Sequence, residues 1–309
     1  MLHRVLVTGA NGLVGQALVR RLSALPEVDL LATSREAEPR FSRHAGGYAP
    51  LDVTDGAAVR ELFHDFAPSA VVHCAAMSKV EACEAERSAC WAANVEATAR
   101  LASACRSGGA RLVLVSTDFV FPGLGGPYGE DDRPEPINFY GRSKLAAENA
   151  IRGSGLARWS VARTSLVFGA GEDLRRSNFP LWLAARLRAG EPTACAADQM
   201  RTPTFDDDLA DGLWRIVQRG RDGVYHLAGR ERLSVLDFAH RIAARYGLDE
   251  RLLSATTTAA LHPDAPRPTD GGLLTLRAET ELGFRPTPLD AALDVVAGRA
   301  GFPAMREAP

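Results

Sequence analysis

The chain has 309 residues, 46% of them hydrophobic and 24% charged, enough for about two ordinary domains around a sizeable buried core. A formal net charge of -2 leaves no basic excess to neutralise a phosphate backbone, and no window approaches the ~18 consecutive apolar residues of a membrane span, so neither nucleic acid nor a bilayer is an expected partner. Five cysteines (Cys74, Cys83, Cys90, Cys105 and Cys195) are odd in number and lack a C-x-x-C pair, which argues against a disulfide framework and a zinc site; reduced packing thiols and no metal are expected.

The chain opens with MLHRVLVTGANGLVG, an apolar run entering a glycine loop without a charged leader or cleavage site, so an untargeted, cytoplasmic protein is expected. Short β-branched runs then alternate with helical stretches: RVLVTG, a helix from about Leu13, VDLLATS, a helix near Gly56 to Phe66, and AVVHCAA. A long helical pattern through roughly Ala85 to Arg106 stops at Gly108-Gly109, and RLVLVST follows. This order predicts a doubly wound, Rossmann-like α/β domain whose parallel sheet carries helices on both faces. Beyond Glu148, WSVARTSLVF reads as another strand, TFDDDLADGLWRIVQ as a helix with acids at its N-terminus, GVYHLAG as a strand, and helices follow around Ser234 to Tyr246 and Pro288 to Ala297. The expected division is a dinucleotide-binding part, 1–168 with about 200–222, and a smaller C-terminal substrate-binding region, 169–199 with about 223–309.

Three glycines, Gly9, Gly12 and Gly15, fall three apart between the first strand and its helix. Such a loop turns sharply, lets backbone approach a pyrophosphate and aims free amides at an anion, so Gly9, Asn11, Gly12, Leu13 and Gly15 are candidates for holding a dinucleotide. At the second strand tip, Thr33-Ser34-Arg35 places no carboxylate where NAD would use one, and a guanidinium beside a hydroxyl suits a 2′-phosphate. NADP(H) is therefore expected, with NAD(H) as the alternative should Arg35 face water and Glu36 turn in. Asp52 and Val53, and then Cys74, Ala75 and Ala76, are the cofactor candidates at later strand ends.

In FYGRSKLAAE, a spacing of four sets Tyr140 and Lys144 on one helix face. A free phenol has a pKa near ~10, and an adjacent ammonium lowers it, making Tyr140 a usable acid for the alkoxide that forms when a ketone takes up hydride. Ser116 and Thr117 end the RLVLVST strand, at the sheet edge where open α/β folds bind ligands, and a hydroxyl there can hold the reacting carbonyl or cap backbone.

With TGANGLVG, STDFVF and YGRSK in this order, the chain resembles the extended short-chain dehydrogenases/reductases. The fuller pattern HCAAMSKVEACE, AANVEAT, PINFYGRSKLAAE, ARTSLVFG, DQMRTPTFDDDLAD and GVYHLAG is similar to the dTDP-4-dehydrorhamnose reductase group over residues 1 to about 285. The resemblance implies NAD(P)H-dependent reduction of the keto group of a nucleotide-linked sugar, with Thr117, Tyr140 and Lys144 as the catalytic trio and Lys144 also on the nicotinamide ribose. It places Ser78 and Glu81 at the sugar. Thr117, Asp118, Leu166, Asn178, Arg201 and Arg267 complete the substrate candidates, with Arg175, Arg176, Arg201 and Arg267 as cations for a diphosphate. Leu166 stands where the group has tryptophan, removing a planar contact surface. His73 is expected to be a satisfied core histidine.

Phe119 follows Asp118 where a 4,6-dehydratase of the superfamily has glutamate, which disfavours dehydration. Two alternatives stay open. One is a nucleotide-sugar epimerase using Asp118; the other is an NADP-binding interaction subunit resembling the regulatory β subunit of methionine adenosyltransferase. A homodimer is the expected assembly if the chain self-associates.

Overall fold

The computed structural model describes residues 2–42, 46–175 and 177–302; Arg176 lies outside the described residues. The strands and helices are β1 (His3–Thr8), α1 (Leu13–Ser23), β2 (Val28–Ser34), β3 (Gly47–Pro50), α2 (Gly56–Phe66), β4 (Ala70–His73), α3 (Val80–Ala85), α4 (Arg87–Trp91), α5 (Ala97–Gly108), β5 (Arg111–Thr117), α6 (Phe139–Gly153), β6 (Trp159–Thr164), β7 (Val167–Phe168), α7 (Phe179–Arg188), β8 (Thr193–Ala196), β9 (Met200–Arg201), β10 (Thr204–Phe205), α8 (Asp206–Arg219), β11 (Gly223–His226), β12 (Leu233–Ser234), α9 (Val235–Arg245), β13 (Leu253–Thr256), α10 (Thr258–Leu261) and α11 (Leu289–Arg299).

Seven strands form one parallel sheet in the order β11-β6-β5-β4-β1-β2-β3. Consecutive apolar residues on its central strands serve opposite faces, as the pleat requires. Val5 and Val7 pack with α1 and α8, while Leu6 packs with α2, α5 and α6. Val113 joins the first set and Leu112 and Leu114 the second. Each such fully buried aliphatic side chain contributes about 1.5–3 kcal/mol. The order reverses at β1, whose neighbours are β2 and β4, and that crevice is where open α/β sheets take ligands.

Local chemistry fixes the helix ends. Asp55 caps α2 by accepting from the amides of Ala57 and Ala58, and Ser234 with Asp237 forms a capping box at α9. The long helix expected over Ala85 to Arg106 is instead α3, α4, a π-helical turn over Ala92–Glu96 and α5. The π turn presents Asn94, whose side chain is bonded to both backbone groups of Met77. The strand expected over WSVARTSLVF breaks after Thr164, because Leu166 adopts a φ of +40° and β7 leaves to pair with β10.

The C-terminal half is assembled from two-stranded pieces, β10 with β7, β12 with β9 and β13 with β8, around a core of α7, α9 and α11 that includes Leu183, Phe238 and Leu293. The central sheet takes in β11, which the sequence expectation assigns to the substrate-binding part; its pairing with β6 puts His226 beside Arg163. Among the described residues no helix is long and apolar enough to cross a membrane. The five cysteines form no disulfide.

Candidate active site

The loop after β1 is a cradle that side chains would fill. Gly9 has a φ of +72°, and a Cβ there would meet the Ala75 amide nitrogen at 2.6 Å; a Cβ on Gly15 would meet the Gly9 carbonyl oxygen at 2.3 Å. The first turn of α1 therefore lies directly on the loop, and its N-cap, Gly12, offers no side chain to compete for the free amides. These features fit a dinucleotide pyrophosphate. Asn11 ties the loop to the end of β2: its amide donates to Ser34 Oγ at 2.9 Å and to Glu36 Oε2 at 2.7 Å, while its carbonyl oxygen accepts from the Arg40 amide at 2.9 Å.

Arg35 is exposed at this strand tip, and Glu36 turns inward between Asn11, Arg40 and Arg175. The hydrogen bond from Arg40 is the main influence holding the Glu36 carboxyl below its ordinary range. A strap, residues 171–175, crosses from the other half: the Glu172 amide donates to Gln16, and Arg40 reaches the Asp173 carboxylate at 3.1 Å. Asp52 forms an Asx turn with Thr54, Val53 is buried under the sheet face, Cys74 and Ala75 are half-buried, and Ala76 is exposed on the loop after β4.

Thr117 ends β5 with its side chain accepting from the Phe119 amide at 3.2 Å. Tyr140 stands in the first turn of α6, and its ring meets Phe119 edge-on with centroids 5.9 Å apart. The next residue, Gly141, has no room for a side chain: a Cβ would lie 2.1 Å from the Phe119 carbonyl oxygen. That close approach pins the start of α6 to the segment following Thr117. Asn138 caps the helix through the Gly141 amide at 2.8 Å and donates to the Pro266 carbonyl at 2.9 Å, while Glu84 accepts from the Phe139 amide at 2.7 Å. The Tyr140 turn is thus held by β5, α3 and the C-terminal loop together.

Lys144 follows one turn later and is 2% exposed. Burial pushes its ammonium down to about 8, with Glu148 the strongest opposing influence. His73, at the end of β4, shares a 2.7 Å hydrogen bond with Thr8, and burial, followed by the Lys144 charge, takes it down to about 3, so it is neutral. Glu148 is wholly buried: it accepts from Ser116 Oγ at 2.6 Å and from Arg163 at 3.0 and 2.7 Å.

On the substrate side, Ser78 is exposed before α3, and Glu81 forms an ion pair with Arg267 near His262 Nδ1, 3.4 Å away. Burial favours a neutral Glu81 carboxyl, but its own backbone amide, Arg267 and His262 outweigh that, and the net shift is downward. Asp118 is buried, accepting from Ser165 at 2.7 Å and lying 3.6 Å from Arg201. Arg201 is only 3% exposed and spends its other groups on the Met200 and Pro268 carbonyls, so its cation braces the interior. Asn178 stands at the N-cap position of α7 without making a capping bond: its amide donates to the Gly169 carbonyl at 2.8 Å, and its buried Oδ1 has no partner among the described residues. Leu166 packs toward the C-terminal core. Arg175, at the strap, points its charge at Glu36 rather than across the cleft.

The sequence reading misses three residues that organise this corner. Asn94 links the loop after β4 to α6 by donating to Ser143 at 2.9 Å, and its signal was the AANVEAT run. Gly141 carries only the adjacency to Tyr140. Glu148 shows the same spacing of four from Lys144 that Lys144 shows from Tyr140.

The RmlD substrate binding domain family matches residues 3–300. The probable low-salt glycan biosynthesis reductase Agl14 of Haloferax volcanii is 33% identical, covering 96% of this chain and 97% of that protein. The mouse methionine adenosyltransferase 2 subunit beta is 30% identical, over 90% of this chain and 82% of its own length. Among solved structures, the dTDP-4-dehydrorhamnose reductase of Bacillus anthracis in complex with NADP superposes with a TM-score of 0.84 at 27% identity, covering 96% of this chain and 99% of that one. With its glycine cradle at the β1 crevice and a Tyr140–Lys144 pair beside the β5 tip, the chain belongs to the RmlD substrate binding domain family, within the extended short-chain dehydrogenase/reductase group of oxidoreductases.

Proposed function

We propose that the chain reduces the keto group of a nucleotide-linked sugar with NADPH, acting as a 4-ketoreductase. The observation that carries this reading is the pinning of the Tyr140 turn to the segment after Thr117, with the buried Lys144 one turn below. Bound NADPH supplies hydride to the carbonyl carbon. Tyr140 then donates its phenolic proton to the nascent alkoxide, the Thr117 hydroxyl orients that oxygen, and the Lys144 ammonium favours the phenolate left behind and would hold the nicotinamide ribose. Gly9, Asn11, Gly12, Leu13 and Gly15 would hold the pyrophosphate end, with residues 1–168 and about 200–222 serving the dinucleotide and the remainder the sugar.

The preference for NADPH over NADH rests on the NADP complex of the Bacillus anthracis relative and on the exposed Arg35 guanidinium at the β2 tip; the inward turn of Glu36, on which Arg40 and Arg175 spend their charges, is the arrangement that would suit NADH instead. Equal KM values for the two cofactors would overturn it. On the sugar side, Ser78, Glu81, Asp118, Leu166, Asn178 and Arg267 border the cleft in this reading, with Arg267 exchanging Glu81 for the diphosphate.

The test is to mix the protein with NADPH and a panel of 4-keto dTDP-, GDP- and UDP-sugars and follow the nicotinamide absorbance. Consumption with one member supports the reading. Consumption with none favours the second reading, an NADP-binding interaction subunit, to which the 30% identity with a methionine adenosyltransferase subunit beta gives weight. The tied-in carboxylate of Asp118, accepting from Ser165, does not favour the epimerase alternative.

A further inference from the structure

Lys144 is buried where an ammonium is costly, and the one acid on its own helix, Glu148 four residues on, acts on it through its field rather than by a direct ion pair. The groups that face it are Glu148 on α6, His73 and Cys74 at the end of β4, Cys83 on α3 and Cys90 on α4. Tyr140 lies one turn before it. His73 is neutral and burial drives the Cys74 thiol up to about 12, while a hydrogen bond from Cys83 brings the Cys90 thiol down to about 7, so two groups of this set can offset the ammonium: the Cys90 thiolate, formed only as pH rises through about 7, and Glu148, the one carboxylate and the one on the same helix face as Lys144. Its carboxylate is 0% exposed and is shared by four donors: Ser116, both nitrogens of the Arg163 fork, and Arg152 at 3.3 Å. Ser116 directly precedes Thr117 on β5, and Arg163 pairs with Ser116 across β5 and β6.

We propose that Glu148 is a positioning residue that keeps the Lys144 ammonium charged within the sheet and fastens the helix bearing Tyr140 and Lys144 to the strand bearing Thr117. The geometry supports both parts. A helical spacing of four stacks Glu148 under Lys144 on one face, and the Ser116 hydrogen bond transmits that placement to the next residue along the strand. A buried guanidinium without Glu148 would leave two cations, Arg163 and Lys144, against α6 with no acid between them, and the lysine is the one that can shed its proton. This deepens the ketoreductase reading and rests on it only where turnover is measured.

The chain supplies an unusually clean probe, because of its 36 lysines and arginines only Lys79 and Lys144 are lysines, and Lys79 is exposed at the start of α3. Protein labelled with 13C at the lysine ε-carbon should give two side-chain titrations by NMR. In the cofactor-free wild type the Lys144 signal should titrate near 8. In Glu148→Gln its midpoint should fall by about one pH unit or more, a roughly tenfold change in the dissociation constant, with Lys79 unmoved. Glu148→Asp should keep the wild-type midpoint. An unchanged Lys144 midpoint in E148Q, or an equal fall in E148D, would overturn the proposal. Should E148Q alone fail to fold, E148Q combined with Arg163→Met removes the stranded guanidinium; because a cation leaves with the carboxylate, a smaller fall is expected there, read against Arg163→Met alone, and a double-variant midpoint no lower than that of Arg163→Met would also overturn it. In turnover assays the alkaline limb of kcat should move with the NMR midpoint, whereas a purely structural role would lower kcat at every pH without moving the limb. A wild type that consumes no NADPH with any sugar defeats the ketoreductase reading, yet the NMR titration still decides the role of Glu148.

Discussion

In the sheet half Glu148 and Arg163 are 0% and 1% exposed and joined by two hydrogen bonds, whereas in the C-terminal half Arg241 with Asp290 and Arg245 with Asp294 join α9 to α11 through side chains 36% to 47% exposed. Similar chemistry does different work in the two places. Water already solvates the outer pairs, so making them changes little. The inner pair has lost its water, and each partner depends on the other being present. The sheet half therefore places this pair under the Tyr140 corner, while α9 and α11 of the C-terminal half carry theirs on the surface and rely on Leu183, Phe238 and Leu293 for cohesion.

The contrast can be broken most forcefully at the reacting corner itself. Tyr140→Phe should lower kcat by about 10²–10⁴ while the affinity for NADPH, read by fluorescence titration, is nearly retained. Next comes the buried pair: Glu148→Ala strands the Arg163 guanidinium and should cost about 3–5 kcal/mol in urea unfolding. A loss below 1 kcal/mol would erase the distinction between the halves.

Asp206 sharpens it further. Its carboxylate is fully buried at the start of α8, no hydrogen-bond donor reaches either oxygen among the described residues, and burial raises it from 3.8 to about 7 despite Arg20 at 3.6 Å. A carboxyl whose folded pKa is raised favours the folded state most when protonated; that advantage is fully present below 3.8 and is lost as pH rises through about 7. Asp206→Asn should therefore match the wild type at the acid end and exceed it by about 1–3 kcal/mol above neutrality. Parallel pH–stability curves for the two proteins would reject this. The smallest effect belongs to the outer pairs: Arg241→Ala should cost only about 0.2–1 kcal/mol, diminishing in salt, as thermal melts at two ionic strengths would register.

Legibility in the sequence followed the same division. The glycine loop, the β-branched runs and the Tyr140–Lys144 spacing are local signals, and β1, β2, β4, β5, α1 and α6 follow from them. What escaped was set by distant partners. The π turn at Asn94 exists because its side chain meets Met77, and the short strands β8 and β13 pair across some sixty residues that carry no periodicity of their own. Arg201 reads in the sequence as one more cation for a diphosphate, and only the folded chain reveals its burial beside Asp118. Glu36, next to the arginine that drew attention at the β2 tip, turned inward because Asn11 and Arg40 offered it donors.

The matching of Ser116 to Arg163 and Thr117 to Thr164 along β5 and β6 carries a mechanical implication. Neighbouring side chains on a pleated ribbon leave on opposite sides, so one hydroxyl is bolted into the foundation while the next lies at the carboxyl edge, where open α/β sheets take ligands. In the proposed reaction a sugar held at Thr117 would therefore pull against an anchored floor that yields little, and adjustment to differently shaped guests would fall to the short-stranded C-terminal half.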